Sequence, residues 1–458
     1  MTRAEMRAGR EAALEEILLR REERVREQRE LLSQGGGCLV SFTMNIPGAR
    51  KRFPLAEDGF REGCAVLKAA IPQGKLLAER YVSGDTGDEA MFLLAAEAEE
   101  IKRLTVGLEE RHPLGRLWDM DVLDRAGKSL SRTALGLPQR TCLVCGQAAK
   151  VCARSRSHDM ELLFHCAADL LERYFRDRAA AVIAACAGRA LLAEVSVTPK
   201  PGLVDRANSG SHTDMDYFTF LDSAAVLTPW FRTFFCLGWD NAHLPEQELF
   251  ARLRWAGLEA EGAMFAATGG VNTHKGLIFS MAVLGGAMGR ERAGRCAPVR
   301  LQTLLESCAR LGGCALADLE VGGGETAGLR CYRSHRITGI RGEAAGGFPS
   351  VLAHGLPVLR QWLDRGAVLN DAAAAALIAL IGSVTDTNMI HRGGLEEAER
   401  RKEEAAELLR RVTPHTLRTR LEELDQDYIR GNLSPGGCAD LLALTLMFHF
   451  LYQEGLVN

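Results

Sequence analysis

Two aspartates spaced two apart, Asp119 and Asp121, close the run His112-Pro-Leu-Gly-Arg-Leu-Trp-Asp-Met-Asp-Val122. On a β-strand alternate side chains share a face, so both carboxylates would project together. Such an edge can hold one or two Mg2+ ions, which take oxygen ligands and bridge phosphate oxygens. A solvated strand face produces the same spacing without any chemistry. Further on, Cys142-Leu-Val-Cys145 with Cys152 and His158 gives C-x2-C-x6-C-x5-H. Three thiolates and an imidazole at short spacing suit a structural Zn2+. The alternative is reduced thiols beside a basic loop, Arg154-Ser-Arg-Ser-His158, that faces phosphates. Gly127-Lys-Ser129 is not a P-loop, because Val122 stands where that motif requires glycine.

A second group of polar clusters lies in the later part of the chain. Lys200 sits between Pro199 and Pro201, which restrict the backbone on both sides, and is followed by Asp205, His212 and Asp214. Thr268-Gly-Gly-Val-Asn-Thr-His-Lys-Gly276 opens a helix, where glycines let backbone N–H groups approach an anion. Only nine of the 56 basic residues are lysines, so Lys200 and Lys275 stand out. Asp386-Thr-Asn388 leads into His391-Arg-Gly-Gly394, and Gly339-Ile-Arg-Gly-Glu343 and Gly431-Asn-Leu-Ser-Pro-Gly-Gly437 are further glycine-rich turns. Singly, each serves equally well as a helix cap or a satisfied core histidine. Five such clusters at the ends of apolar helices read together as a nucleoside-triphosphate site without a P-loop, with Lys and His for phosphate and Asp for Mg2+.

The elements that must position these residues fall into two textures. Up to about residue 178 the pattern is mixed. A charged helix is expected from Ala4 to Leu32, docked on the surface rather than in a coiled coil, since Arg21 and Gln28 interrupt its apolar stripe. A strand is expected over Cys38–Ile46, helices over Gly59–Ala70 and Gly87–Leu104, and a strand around Val122 and Leu123. After 178, Ala-, Leu- and Gly-rich helical runs dominate, at 179–194, 217–236, 246–267, 275–288, 299–311, 371–383, 395–411 and 438–453. Glycine-rich clusters, among them 322–348, punctuate them. The fold class that follows is multi-domain: an N-terminal α+β domain, 1–178, and a larger, mostly α-helical domain, 179–458.

Composition narrows the function. Apolar residues make up 47% and charged residues 25%, with a net charge of −3, so the chain can bury a sizeable core but has no global field to hold nucleic acid or an anionic membrane. Six Tyr and five Trp argue against a polysaccharide cleft or a base-stacking platform. Thirteen cysteines, many isolated among apolar residues, read as reduced core thiols. With no signal peptide expected at Met1–Arg10, and with Ala372–Ile381 and Leu441–Leu451 too short to span a membrane, the chain is expected in the cytoplasm.

The run Glu194–Asp214, Val271-Asn-Thr-His-Lys-Gly276, Arg341-Gly-Glu343, Asp386-Thr-Asn388 and Ser434-Pro-Gly-Gly437 resembles the triphosphoribosyl-dephospho-coenzyme A synthases over about 179–458. Ser41-Phe-Thr-Met-Asn-Ile-Pro-Gly48, Gly115–Val122 and Cys142–His158 resemble the citrate lyase holo-synthases over about 10–178. Gly107, twelve residues before Asp119 and followed by Arg111 and Arg116, is also similar to the polymerase-β-type nucleotidyltransferase pattern of a glycine turn before Asp-x-Asp, although Leu108 replaces its serine.

The resemblance implies a fused protein that makes and attaches the citrate lyase prosthetic group. In the second domain the 2′-hydroxyl of 3′-dephospho-coenzyme A would attack C1′ of ATP and release adenine. Lys200, Asn272, His274, Lys275, Arg341, Asn388, His391 and Arg392 would contact nucleotide, Asp214 and Asp386 would hold Mg2+, and His212 or Glu343 would act as base. In the first, a Ser of the acyl carrier (γ) subunit would attack the α-phosphorus and expel diphosphate. Asp119 and Asp121 would serve as catalytic metal ligands there, and Arg116 and Arg154 would neutralise the leaving group. Three other readings stay open: a zinc-stabilised docking module in place of the first enzyme, a helical part that hydrolyses N-glycosidic bonds, and service to malonate decarboxylase.

Overall fold

The computed structural model describes residues 5, 7–321 and 327–458, which form two compact units: Met1–Asp177 with Gly294–Cys296, and Arg178–Ala293 with Ala297–Asn458. The first carries α1 (Leu14–Ser33), β1 (Cys38–Met44), α2 (Pro54–Ala70), β2 (Leu76–Val82), β3 (Glu89–Leu94), α3 (Ala98–Arg111), β4 (Trp118–Asp124) and α4 (Ala149–Ser155). The division between units falls inside α5 (Met160–Ser196). The strands make one antiparallel sheet in the order β2-β3-β1-β4.

β1 is covered on both faces, with Cys38, Leu39, Val40 and Phe42 fully buried. Its partner β3 corrects the expectation of a helix over Gly87–Leu104. Residues 89–94 are buried without exception, and a continuous apolar run has no period that separates a covered strand from a helix. The helix begins only at Ala98. β2 also escaped the sequence reading. Gly107 lies inside α3, so it does not form the glycine turn that the nucleotidyltransferase pattern places before Asp-x-Asp.

Helix α1 starts at Leu14 rather than Ala4, which lies outside the described residues. It docks on the sheet, as expected, through Leu31, packed with Leu39, Met91, Leu93 and Leu123. Arg20 and Arg24 hold Glu89 of β3 at 2.9 and 2.5 Å.

The second unit is helical throughout: α6 (Tyr217–Asp240), α7 (Glu246–Ala267), α8 (Lys275–Arg292), α9 (Leu301–Gly313), α10 (Ala317–Val321), α11 (Ala327–His335), α12 (Gly339–Ala345), α13 (Leu356–Asp364), α14 (Leu369–Ile381), α15 (Thr387–Gly393), α16 (Leu395–Arg411), α17 (Leu417–Arg430) and α18 (Gly436–Gln453). Seven of these were expected within a few residues, and the eighth expected run, 179–194, is part of the longer α5. Of the cluster 322–348, residues 322–326 lie outside the described residues, and much of the remainder is α11 and α12. Every residue of α14 from Ala372 to Ile381 is buried, as is most of α18. Helices α6 and α8 cross backbone to backbone. A Cβ on Gly289 would lie 2.0 Å from the Phe235 carbonyl oxygen, and one on Gly238 2.1 Å from that of Gly286.

One helix departs from the expectation that no segment could span a membrane. α5 is long and apolar enough by length and composition, with a mean hydropathy of 1.6 over its best window, but 61% of that window is buried within the protein. The alanines and leucines of 179–194 extend an amphipathic start at Met160 into one 37-residue helix.

Candidate functional site

A cavity of about 1070 Å3 lies in the second unit. Its wall brings together the residues assigned there to nucleotide, metal or base: Lys200, His212 and Asp214 before α6, Asn272, His274 and Lys275 at the start of α8, Arg341 and Glu343 on α12, and Asp386, Asn388, His391 and Arg392 around α15. Two long helices, α8 and α18, begin at this wall, so the positive ends of their dipoles face the space.

Lys200 is 1% exposed, and its ammonium donates to the Glu194 carboxylate at 2.5 Å and to the Glu194 carbonyl at 2.9 Å. Burial pushes the Glu194 carboxyl up, against the pull of Lys200. The loop that presents Lys200 is tied by Asp205. One carboxylate oxygen accepts from Thr198 Oγ1 and Lys200 N–H, the other from the Ala207 and Asn208 N–H groups. Asp205 therefore shapes the turn and is not among the residues lining the cavity.

His274 is buried, with Nδ1 2.7 Å from Ser223 Oγ. Ser223 accepts from Thr273 Oγ1 and keeps its own hydroxyl proton to donate to Nδ1, an arrangement we assign and that places the imidazole proton on Nε2. That Nε2 has no hydrogen-bond partner and lies in the cavity wall. Burial, then the nearby Lys200 charge, pulls the imidazole down to about 3, so it stays neutral and offers one N–H donor. His212 is pulled down by burial and then by Arg392. Its Nδ1 lies 3.3 Å from an Arg392 nitrogen and its Nε2 2.9 Å from Ser434 Oγ, while Asp214 stands 3.8 Å from Nδ1.

The cations differ in how they are balanced. Lys275 pairs with Glu261 at 2.8 Å. Arg392 meets only neutral acceptors, the Ser211 carbonyl and Asn432 Oδ1, both at 2.9 Å, besides His212. Arg341 has no ion-pair partner among the described residues.

The acids differ too. Glu343 accepts from the Ser350 hydroxyl at 2.5 Å and its N–H at 3.2 Å. Asp386 caps α15 through Oδ1 and accepts the Cys438 N–H of α18 through Oδ2 at 2.8 Å. The Cys438 thiol also hydrogen-bonds this carboxylate.

Asp440, one turn into α18, was not singled out from the sequence. It lines the cavity, and its carboxylate has no hydrogen-bond partner among the described residues. Burial, then the charges of Glu194 and Asp386, holds its carboxyl well above the usual range. A signal existed: Asp440 is the single Asp, Glu, Lys or Arg in Gly436–Gln453.

In the first unit, Asp119 and Asp121 lie on β4 opposite Thr43 and Ser41 of β1, so all four side chains share one face. The two motifs Ser41–Gly48 and Gly115–Val122 are thus paired in register. Asp121 is exposed and the Asp119 side chain 46% exposed; the surrounding protein and then the Asp121 charge push the Asp119 carboxyl up. Arg140 reaches Asp119 at 3.2 Å and Glu109 at 2.6 Å, and Glu109 also accepts the Met120 N–H at 2.9 Å. Arg132 pairs with Glu109 as well, and Lys102 donates to the Met120 carbonyl at 3.1 Å. Arg116 belongs to this basic group: burial, then Arg140 and Arg132, lowers it. Arg154 stands exposed on α4. Sequence reasoning missed Arg140, Glu109 and Lys102, which lack any motif of their own. The donor atoms of Cys142, Cys145, Cys152 and His158 all lie within 4.8 Å of one another.

Comparison with known proteins matches residues 180–456 to the family described as ATP:dephospho-CoA triphosphoribosyl transferase. Residues 12–174 match that described as apo-citrate lyase phosphoribosyl-dephospho-CoA transferase. The chain is 37% identical to Protein CitXG of Haemophilus influenzae, over 96% of each chain. It is 32% identical to Protein CitXG of Leuconostoc mesenteroides, over 96% of this chain and 97% of that one. It is also 42% identical to the 2-(5''-triphosphoribosyl)-3'-dephosphocoenzyme-A synthase of Pectobacterium atrosepticum, over 57% of this chain and 86% of that one.

Proposed function

The chain belongs to the family of fused transferases that build and attach the citrate lyase prosthetic group, and from that premise we propose which residues carry each half-reaction. The second unit joins ATP to 3′-dephospho-coenzyme A. The bond from the 2′-oxygen to C1′ forms, the C1′–N9 bond breaks, and adenine leaves with that electron pair. The observation that carries this assignment is the single cavity that gathers the motif residues of the second unit. Its least balanced cations, Arg341 and Arg392, would meet the triphosphate first, with Lys275 exchanging Glu261 for phosphate. His274 Nε2–H is a neutral donor that an anion can accept without a proton moving. Lys200, spent on Glu194, would fix the local charge at the ribose end.

Asp214 and Asp386 would hold Mg2+, with Asp440 as the further carboxylate whose acceptor sites fit an ion. Mg2+ would neutralise the triphosphate while positive charge develops at C1′. Among proton acceptors the geometry favours Asp440 over His212 and Glu343, whose acceptor atoms already have partners. His212 then acts by holding Arg392 and Ser434.

The first unit transfers the product to a Ser of the acyl carrier protein and releases diphosphate; the γ subunit of citrate lyase is the proposed carrier. The seryl oxygen attacks the α-phosphorus and the diphosphate oxygen leaves, an in-line displacement of the nucleotidyltransferase type. Asp119 and Asp121 would ligate Mg2+ on their shared face, with Arg140 holding Asp119 in place, and Arg116 would meet the leaving charge. Arg154 would contribute from α4, whose Cys/His neighbours suit Zn2+. A cytoplasmic setting is proposed as well, from cysteines that stand isolated among apolar residues in the sequence.

Mass spectrometry of the chain with ATP, Mg2+, dephospho-coenzyme A and apo-carrier tests the whole reading: free adenine and a modified carrier Ser are expected. Asp119→Asn and Asp121→Asn should each cut attachment by about 100-fold or more, ~2.7 kcal/mol of barrier, with adenine release intact. Unchanged attachment would instead mark the first unit as a docking module.

A further inference from the structure

We infer that Cys142, Cys145, Cys152 and His158 hold one zinc ion whose task is to fix Arg140 against Asp119 and Glu109. The local backbone has the form such a site needs. The Thr141–Ala148 bridge and the Cys142 N–H bond to the Gln147 carbonyl, 2.6 Å, close a tight loop around Cys142-Leu-Val-Cys145. Gly146 turns this loop with φ +71, and the Val144 N–H points at the Cys142 sulfur, 3.4 Å away. Cys152 enters from α4, and the left-handed residue Arg156 ends that helix so that the chain brings His158 back to the same point.

The distances fit a metal rather than a disulfide. Cys145 Sγ and Cys152 Sγ are 3.4 Å apart, and His158 Nε2 is 3.3 Å from Cys145 Sγ. A tetrahedral ion with Zn–S of about 2.3 Å and Zn–N of about 2.0 Å requires donor separations of roughly 3.5–3.8 Å. The two closest pairs are within a few tenths of an ångström of that range, and with all four donors within 4.8 Å of one another the remaining pairs need to close by about an ångström at most. Three sulfurs and one nitrogen complete the shell, the closed arrangement of a structural site.

What the ion would hold in place is legible from the chain path. Arg140 is two residues before Cys142, and its carbonyl accepts the Ala149 N–H at 2.8 Å, on the other side of the cysteine loop. Its guanidinium spans Asp119, at 3.2 Å, and Glu109, at 2.6 Å, and also meets the Trp118 carbonyl. The segment from Leu130 to Asp159 contains no long helix or paired strand to do this work. A metal crosslink over Cys142–His158 supplies the rigidity that its own packing does not. Arg140 is thereby a positioning residue for the Asp119 edge, and this second half of the inference rests on the transferase reading of the first unit.

Elemental analysis of the purified full chain by inductively coupled plasma mass spectrometry tests the site without any substrate. One zinc per chain is expected, lost in the Cys145→Ser, Cys152→Ser double variant, and after exchange with Co2+ the absorption bands of tetrahedral thiolate ligation. Chelation should lower carrier attachment by at least about tenfold, and zinc added back should restore it. Arg140→Ala should lower attachment similarly while keeping its zinc, which separates the positioned group from the device that positions it. A wild-type chain without stoichiometric zinc overturns the site. Zinc that is bound but whose removal leaves attachment unchanged overturns the role, and neither result bears on whether the chain is a transferase.

Discussion

Asp440 carries a charge that its surroundings oppose, and such a group reveals itself in two measurements of opposite sign. Its folded carboxyl titrates well above the ordinary 3.8, so the fold favours the neutral form. Stability is then greatest below the ordinary carboxylate range and declines as pH rises toward the folded value. At neutral pH Asp440→Asn should melt at a higher temperature than the wild type, with the gap closing on acidification. Adenine release should move the other way, because a proton acceptor or metal ligand must be ionised. The variant should lose about 100-fold or more, and in the wild type the acid limb of the rate profile should lie above the pH of a free carboxylate. Equal melting temperatures and unchanged adenine release would remove Asp440 from the site. At this scale most of the residues that line the candidate site were legible in the sequence: Lys200, His274 and Asp386 stood out as polar residues in apolar or glycine-rich company. Asp440 could have been read from the same contrast. Arg140 and Glu109 could not, since nothing near them in sequence distinguishes them from other surface charges.

The elements that carry these residues depend on close backbone approach. α8 opens at the cavity with Asn272–Lys275, and its other end is held by the crossing with α6 at Gly238, Gly286 and Gly289. Gly289→Ala would drive a methyl carbon to within 2.0 Å of a carbonyl oxygen, so the helices must separate. A loss of about 1–3 kcal/mol in unfolding free energy is expected, measurable by urea denaturation with an unchanged slope. Gly269→Ala makes the informative contrast: no atom crowds its Cβ, but its φ of +65 makes the strain conformational. Helix periodicity in the second unit was strong enough to read directly. The error over Gly87–Leu104 arose where β3 is covered on both faces, because burial on all sides erases the alternation that marks a strand. β2 is the opposite case: its burial does alternate, Leu76 to Val82, but with Glu79 and Arg80 in the middle of a seven-residue edge strand the apolar signal is thin.

For the molecule as a whole, two units with distinct reactions predict separable defects. Asp119→Asn keeps the first reaction and Asp440→Asn keeps the second. Mixing the two variants should restore carrier attachment, read as carrier mass, if the intermediate passes through solution. No restoration, with each variant folded by circular dichroism, would mean that it does not. The sequence by itself determined the near-neutral charge, the helical second part and the motifs, because these are set by residue type and by spacing of a few positions. It also pointed to small, densely anionic substrates through its scarce lysines. Only the tertiary structure decided which charges remain available. Lys200 is spent on Glu194, Asp205 on a turn and Glu343 on Ser350, while Arg341 and Asp440 face the cavity with no such partner among the described residues. The reason is physical: a charge is useful to a substrate only to the extent that the fold has not already neutralised it, and its partners, such as the start of α18 beside Asp386 or Arg132 beside Glu109, lie far away along the chain.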